Sequence, residues 1–188
     1  MDLVVPSAQH LESYVDALTR GWSPDTVDAT VGRAQLARIE ADPDAFLAGT
    51  DDPEGGGEPI VLPDGSAVRR LPSFRRWMWD DGFAGSIGFR WQPGTPELPP
   101  HVLGHIGYSV VPWARRRGHA TAALRQLLGE VQGLGLPYVE LVTDVDNIAS
   151  QRVISANGGV LVERFMKPAA YRAEEPVLRW RVMLAGRP

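Results

Sequence analysis

A change of hydrophobic period at Gly118 is the feature that most constrains the fold of this chain. Before it, residues 102–111 predict a β-strand, which Pro112 ends. After it, apolar residues recur at helical spacing and predict a long amphipathic helix that covers one face of a sheet: Ala120, Ala123, Leu124, Leu127, Leu128, Val131 and Leu134. A strand that leads directly into such a helix predicts a domain that mixes both element types.

Other segments supply the rest of this domain. A short strand at 3–5 and two helices open the chain, the second helix at about 27–40. Asp81-Gly82 separates two strands, 74–80 and 83–91, as a hairpin turn does. Further strands are expected at 138–143, 159–165 and 177–184, with a short helix at 147–156. The expected fold class is α/β (α+β), with a mixed and mostly antiparallel sheet.

The length of 188 residues fits one domain, expected to span 1–188. Residues 1–50 hold the first strand and the N-terminal helices, and 60–188 hold the sheet. Between them, 51–59 are acidic, rich in glycine and without apolar side chains. Such a segment buries too little surface to offset its ordering entropy, so a mobile surface loop is expected there.

Composition excludes several chemistries. With no cysteine there is no thiolate nucleophile, disulfide or cysteine-held metal, and the four histidines have no metal-ligand spacing, so we expect no metal. A net charge of −4 argues against nucleic acid as the main partner. No apolar run is long enough to cross a membrane, and the N-terminus does not resemble a secretion signal, so a cytoplasmic protein is expected.

The segment that carries the strongest chemical signal is Arg115-Arg116-Arg117-Gly118-His119-Ala120, where strand gives way to helix. A helix start offers unpaired N–H groups and the positive end of the helix dipole. Gly118 and Ala120 let the backbone approach an anion closely, and the arginines add charge-assisted hydrogen bonds. Taken alone, the segment fits either a diphosphate site or a solvated basic turn.

The pattern Arg115-x-x-Gly118-x-Ala120 resembles the pyrophosphate loop of the GNAT family of N-acetyltransferases. The resemblance extends upstream through 104–112, which is similar to the family's fourth strand, and downstream through 146–154. Within the family, the runs at 71–77, 104–108 and 156–160 are similar to a bacterial group of predicted acetyltransferases.

This resemblance implies a single GNAT-like domain with a sheet of about six to seven strands and helices on both faces. A bulged fourth strand splays from the fifth and opens a cleft for acetyl-coenzyme A (acetyl-CoA). The resemblance assigns the cofactor to backbone groups of two strand residues, to the loop, and to two residues at the next helix start: Val110, Val111, Arg115, Arg116, Arg117, Gly118, His119, Ala120, Asn147 and Ser150. Asn147 also suits a helix N-cap, and the two roles are compatible.

For catalysis, His105 stands where many family members have a glutamate that acts as general base, and a histidine titrates near neutrality. The alternative is a structural strand histidine. His101 is a weaker candidate, and Glu140 is a second choice whose alternative is a salt-bridged carboxylate. The position of the family's general-acid tyrosine corresponds to Ile154, which leaves the thiolate to be protonated by water, by another side chain or after release. Tyr108 and Tyr171 are the candidate substitutes, and for Tyr108 the alternative is packing in the sheet.

The expected function is an N-acetyltransferase that moves an acetyl group from acetyl-CoA directly to a primary amine in a ternary complex. The acceptor is a small molecule or a peptide N-terminus, and the protein is a monomer or homodimer without a nucleic-acid or membrane partner. A non-catalytic acyl-CoA sensor remains the alternative because of Ile154. The acidic loop at 51–58 suits either a cationic acceptor or no specific partner.

Overall fold

The computed structural model describes residues 1–25, 28–62, 65–168 and 175–184. The predicted start of the second helix at Val27, the turn at Pro63-Asp64 and Tyr171 lie outside these residues. The helices are α1 (Ala8–Thr19), α2 (Thr30–Ala41), α3 (Pro43–Ala48), α4 (His119–Val131) and α5 (Ile148–Ser155). The strands are β1 (Asp2–Val4), β2 (Asp51–Asp52), β3 (Ile60–Val61), β4 (Ala67–Val68), β5 (Ser73–Trp79), β6 (Phe83–Arg90), β7 (Ile106–Val110), β8 (Tyr138–Asp144), β9 (Val160–Met166) and β10 (Pro176–Met183).

The long strands form two antiparallel sheets. The first has the order β1-β5-β6-β7, with β2 also paired to β5, and the second has the order β8-β10-β9. The predicted hairpin between β5 and β6 is present, and Asp81 at its turn has a φ of 55°. The strands β3 and β4 form a separate two-stranded hairpin.

Neighbouring residues of β5 show that helices cover both faces of the first sheet, because consecutive side chains of a strand point to opposite faces. Trp77 stacks on Tyr14 of α1, with ring centroids 4.3 Å apart. Arg76, on the other face, pairs with Glu130 of α4. The mixed domain with helices on both faces, predicted from the sequence, is therefore confirmed.

The core follows the predicted apolar stripes. On α4 the buried side chains include Ala123, Leu124, Leu127 and Val131, which repeat at helical spacing. Trp77 and Phe89 are also fully buried, so these aromatic side chains stabilise the sheet. In the described parts of the chain, no helix has both the length and the apolar character needed to cross a membrane.

Three local features differ from the expectations. Residues 102–104 do not continue β7, which begins at Ile106. A third helix, α3, follows the predicted break, because the Asp42 side chain accepts the Ala45 N–H and caps a new helix start. The pairing of β6 with β7 runs without a register shift, so the expected bulge is absent from the paired part of β7.

The acidic loop has more contacts than its composition predicts. Asp51 and Asp52 form β2, and the Asp52 carboxylate accepts the N–H groups of Gly56 and Gly57. These bonds hold the pKa of Asp52 below its usual value. Polar contacts of this kind order a segment that has no apolar side chain to bury.

Candidate active site

The two sheets meet at His105, just before β7, and Glu140 in β8. The His105 N–H donates to the Glu140 carbonyl at 2.8 Å, and the Glu140 N–H donates to Nδ1 of the His105 ring at 3.0 Å. Beyond this point β7 and β8 belong to different sheets. The resemblance implies a splay between the family's fourth and fifth strands. These strands correspond to β7 and β8, so the splay begins at His105.

A cleft of about 350 Å³, here called the transfer cleft, lies beside this splay. The start of β7, the end of β8 and residues of α5 line it, together with arginines from β5 and β6. Among its lining residues are Tyr108, Val142, Asp144, Asn147, Ser150, Ile154, Arg75 and Arg90. Polar groups from four strands and one helix thus converge on one space.

The backbone of β7 presents alternate residues to the cleft side. The Val111 N–H donates to the Ala84 carbonyl on the β6 side at 3.0 Å. In an antiparallel pair the neighbouring residue directs its N–H and C=O the opposite way, so Val110 faces away from β6. Of the two strand residues expected to contact pantetheine, Val110 therefore has the suitable direction, whereas Val111 is buried and already paired.

The loop before α4 has the geometry of an anion site. Gly118 at the N-cap has a φ of 81° and Arg116 a φ of 63°, so two residues adopt left-handed backbone conformations. Such turns direct successive N–H groups toward one point, which favours a bound anion. Arg115, Arg116 and Arg117 are all exposed, and Nε of Arg115 donates to the Val110 carbonyl at 3.3 Å.

His119, the first residue of α4, is placed differently from its exposed neighbours. Its side chain is buried, and its Nε2 lies 3.6 Å from an Asp80 carboxylate oxygen. The side chain of His119 therefore turns away from the loop, and its backbone is the part available to an anion. The small side chain of Ala120 leaves the first turn open on the loop side.

At the start of α5, Asn147 is the N-cap. Its Oδ1 accepts the Ser150 N–H at 3.1 Å, and both residues line the transfer cleft. Ile154, at the family's tyrosine position, is fully buried. The Tyr108 hydroxyl instead reaches this region and donates to the Ser150 carbonyl at 3.4 Å. Burial raises the pKa of Tyr108 to about 12, so its hydroxyl stays protonated near neutral pH.

The ring of His105 is fully buried and does not line the transfer cleft. Burial lowers its pKa to about 4, partly opposed by the negative charge of Glu140. Because Nδ1 accepts a backbone N–H, the neutral ring carries its proton on Nε2. The lone pair that a general base needs is thus occupied, and in this conformation His105 connects the two sheets.

Glu140 is likewise engaged elsewhere. Its Oε1 accepts from Nη2 of Arg181 at 2.7 Å, and Arg179 lies 3.7 Å from its other oxygen. Both arginines belong to β10, and Glu140 does not line the transfer cleft. The salt-bridged arrangement, considered as the alternative from the sequence, is the one that the structure contains.

A second cleft of about 340 Å³, here called the arginine pocket, opens between the first sheet and the α2–α3 region. Five arginines and one histidine line it: Arg38, Arg69, Arg70, Arg75, Arg90 and His101. It shares Asp25, Arg75, Gly88 and Arg90 with the transfer cleft. Sequence reasoning missed these arginines because they come from separate elements, and only the pairing of β5 with β6 brings Arg75 to Gly88.

Comparison with known proteins agrees with this geometry. The family described as "Acetyltransferase (GNAT) domain" matches residues 63–160, and the chain belongs to this family. No curated protein gave a match. Within the family, solved structures show how far the similarity of fold extends.

Three solved acetyltransferases share the fold over nearly the whole chain. The microcin C7 self-immunity acetyltransferase MccE, solved with acetyl-CoA and AMP, is 12% identical with a TM-score of 0.63, covering 96% of this chain and 91% of that chain. The ribosomal L7/L12 α-N-protein acetyltransferase RimL, solved with coenzyme A, is 13% identical with a TM-score of 0.61 and covers 97% and 93%. The ribosomal-protein-S5-alanine acetyltransferase from Vibrio fischeri is 14% identical with a TM-score of 0.61 and covers 99% and 94%.

Proposed function

We propose that this protein transfers an acetyl group from acetyl-CoA to a primary amine by direct attack in a ternary complex. The observation that carries the proposal is the loop at 115–120, which has the backbone geometry of an anion site and follows β7 beside the transfer cleft. A diphosphate at the loop and a thioester in the cleft lie at the two ends of one extended cofactor. Two of the structurally similar acetyltransferases are complexes with acetyl-CoA or coenzyme A.

In this proposal the cofactor binds along β7. The backbone N–H groups from Arg116 to Ala120 and the side chains of Arg115 and Arg117 hold the pyrophosphate. The pantetheine arm pairs with the backbone of Val110, which faces away from β6. The thioester then reaches Asn147 and Ser150 at the start of α5, where the lining of the cleft is polar.

The chemistry requires stabilisation of the oxyanion on the thioester carbonyl and of the departing thiolate. The Tyr108 hydroxyl is the suitable donor to the leaving sulfur, because it lies near Ser150 and remains protonated. It replaces in function the tyrosine that the family has at the position of Ile154. Tyr108→Phe should therefore lower the rate of transfer more than the affinity for acetyl-CoA.

The roles of His105 and Glu140 as general bases stay predictions. Each side chain would first have to leave its present partner. His105 would have to release the Glu140 N–H, and Glu140 would have to leave Arg181. We propose instead that the amine loses its proton to water at the open side of the transfer cleft. The pH dependence of kcat/KM should then follow the pKa of the acceptor amine and shift when that amine is changed.

The cofactor assignment is tested with Arg115→Ala combined with Arg117→Ala. Each lost charge-assisted hydrogen bond is worth about 1.5–3 kcal/mol, so acetyl-CoA affinity should fall on the order of tenfold or more, measured by calorimetry. Arg125→Ala is the matched control, because Arg125 is an exposed arginine of α4, the helix that follows the loop. Equal affinity in the double variant and the control would contradict the assignment.

A sensor that binds acyl-CoA without transfer is the second candidate, favoured by the positions of His105 and Glu140 outside the cleft. The two functions differ in thiol release. An enzyme liberates free coenzyme A when amines are added, whereas a sensor binds acetyl-CoA and releases none with any amine tested.

A further inference from the structure

A row of three directly paired residues across the first sheet contains Arg75 and two glycines. Arg75 in β5 pairs with Gly88 in β6, and Gly88 pairs with Gly107 in β7. Directly paired residues share one face of a sheet, so the Arg75 side chain lies beside two positions without side chains. A Cβ at Gly88 would lie 4.0 Å from Nη2 of Arg75, which shows that the guanidinium lies over this glycine.

Arg75 has no ion-pair partner among the described residues, in contrast to its neighbour. Arg76 pairs with both Asp51 and Glu130. Arg75 is half-buried and donates to the Ser86 hydroxyl at 3.4 Å, and among the described residues no carboxylate lies within 4.0 Å of its guanidinium. Its positive charge acts on buried Tyr14, whose pKa it lowers against the larger effect of burial.

Other arginines extend this positive region. Nη2 of Arg69 donates to the Glu54 carbonyl, and Nε of Arg70 donates to the Glu58 carbonyl. These partners are backbone oxygens, so they position the side chains without cancelling their charge. The carboxylates of β2 point elsewhere, Asp51 to Arg76 and Asp52 to backbone N–H groups. The backbone of the acidic segment therefore holds Arg69 and Arg70 at the arginine pocket.

The position of Arg75 relates the charge to the transfer reaction. Arg75 and Gly88 line both the arginine pocket and the transfer cleft, so the two spaces share a wall. A ligand bound to Arg75 would therefore extend from the arginine pocket into the transfer cleft. Arginine binds carboxylate and phosphate with two parallel hydrogen bonds, which also fixes the orientation of the bound group.

We propose that the arginine pocket binds an oxyanion, a carboxylate or a phosphate, carried by the acetyl acceptor itself. The substrate class is then a primary amine with a negatively charged group, oriented by Arg75 so that its amine enters the transfer cleft. This inference rests on the proposed acetyltransferase function and specifies its acceptor.

The test uses pairs of acceptors in which one member has an anionic group and the other has none. Glutamate and phenylalanine are compared with derivatives in which each carboxylate is replaced by a carboxamide, and O-phosphoethanolamine with ethanolamine, by measuring release of coenzyme A from acetyl-CoA. For at least one pair, kcat/KM should be higher for the anionic member on the order of tenfold or more. A response in the amino-acid pairs identifies a carboxylate, and one in the ethanolamine pair identifies a phosphate.

Arg75→Met should abolish this preference mainly by raising KM, while acetyl-CoA affinity stays at the wild-type value. Arg33→Met is the matched control, because Arg33 is an exposed arginine of α2 that lines neither cleft. Binding of glutamate and of O-phosphoethanolamine to the protein saturated with coenzyme A is measured by calorimetry as a readout independent of turnover.

Three outcomes overturn the inference. One is a preference for the neutral members, or none, in the wild-type protein. Another is an anionic preference or anion binding that persists in Arg75→Met. The last is that the wild type binds neither glutamate nor O-phosphoethanolamine. Failure of the proposed function is recognised separately, because the protein would then not bind acetyl-CoA or would release no coenzyme A with any of the amines.

Discussion

His105 shows how one side chain can change its expected role through its surroundings. A histidine in a strand near a cofactor cleft predicts a base, because the ring titrates near neutrality. Here the ring is buried and accepts the Glu140 N–H through Nδ1. A buried N–H without an acceptor costs about 1–3 kcal/mol, so this bond stabilises the junction of the two sheets.

Replacement of His105 distinguishes the structural role from the catalytic one. His105→Ala should lower the free energy of unfolding by about 2–4 kcal/mol in denaturant titrations, because an N–H loses its acceptor and a cavity forms. His105→Asn supplies an amide oxygen near the position of Nδ1 and should recover part of this loss. Because asparagine is not a base, wild-type turnover in His105→Asn supports the structural role, and lost turnover in the folded variant supports the base.

Stability should also depend on pH through His105. Burial holds its pKa at about 4, below the ordinary value of 6.5, so the unfolded chain takes up the proton first as the pH falls. The stabilisation by neutral His105 is complete above about pH 6.5 and is lost as the pH decreases toward 4. His105→Asn should show a smaller decrease of unfolding free energy over this interval, and an equal decrease would contradict the assignment.

At the scale of the element, the start of α4 depends on the backbone conformation of one glycine. The helix begins directly after Gly118, whose positive φ turns the chain from the loop into the first helical turn. A Cβ at Gly118 would meet no atom within 4 Å, so the glycine is required for its backbone conformation and not for space. A Cβ at Gly129 in α4 would also meet no atom within 4 Å, but the backbone of Gly129 is helical.

These two glycines form a matched pair for substitution. Gly118→Ala should lower the free energy of unfolding by about 1–2 kcal/mol, because alanine is strained at positive φ, and should weaken acetyl-CoA binding. Gly129→Ala should raise stability by about 0.5–1 kcal/mol, since alanine favours the helix interior. Thermal unfolding and cofactor titration measure both effects, and the same sign of stability change in both variants would contradict this account.

At the scale of the whole molecule, two antiparallel sheets joined at one place produce the cleft. The backbones approach closely there, because a Cβ at Gly104 would lie 3.0 Å from the Glu140 carbonyl oxygen and 3.3 Å from Cα of Leu141. Three residues further along the chain the space is wider, because a Cβ at Gly107 would lie 3.7 Å from its nearest neighbour, Nη2 of Arg90. The width of the transfer cleft therefore depends on how closely the sheets pack at Gly104.

Gly104→Ala should separate the sheets at their junction. The added methyl group requires a backbone shift, so the free energy of unfolding should fall by about 1–3 kcal/mol. Gly107→Ala, where the contact is of ordinary length, should change stability by less than about 0.5 kcal/mol. Denaturant titration compares the two variants, and equal stability would show that the junction at Gly104 tolerates a side chain.

Much of the fold could be predicted from local patterns. The helical spacing from Ala120 to Val131, the Asp81-Gly82 turn and the alternation in β8 identified elements whose bounds the structure confirms within a few residues. The short helix α3 was missed because its six residues are too few to show a period. The loop at 115–120 was recognised because its residues are contiguous.

The sequence by itself determined the fold class, the family and the position of the loop that we propose binds the pyrophosphate, because each depends on residues close together in the chain. Only the tertiary structure decided that His105 joins two sheets and that Glu140 pairs with Arg181. It also decided that Arg75 lies beside two strand positions occupied by glycines. Burial, the proton position on a ring and the neutralisation of a charge depend on neighbours far along the chain. Those neighbours are determined by strand pairing, which a single sequence does not display.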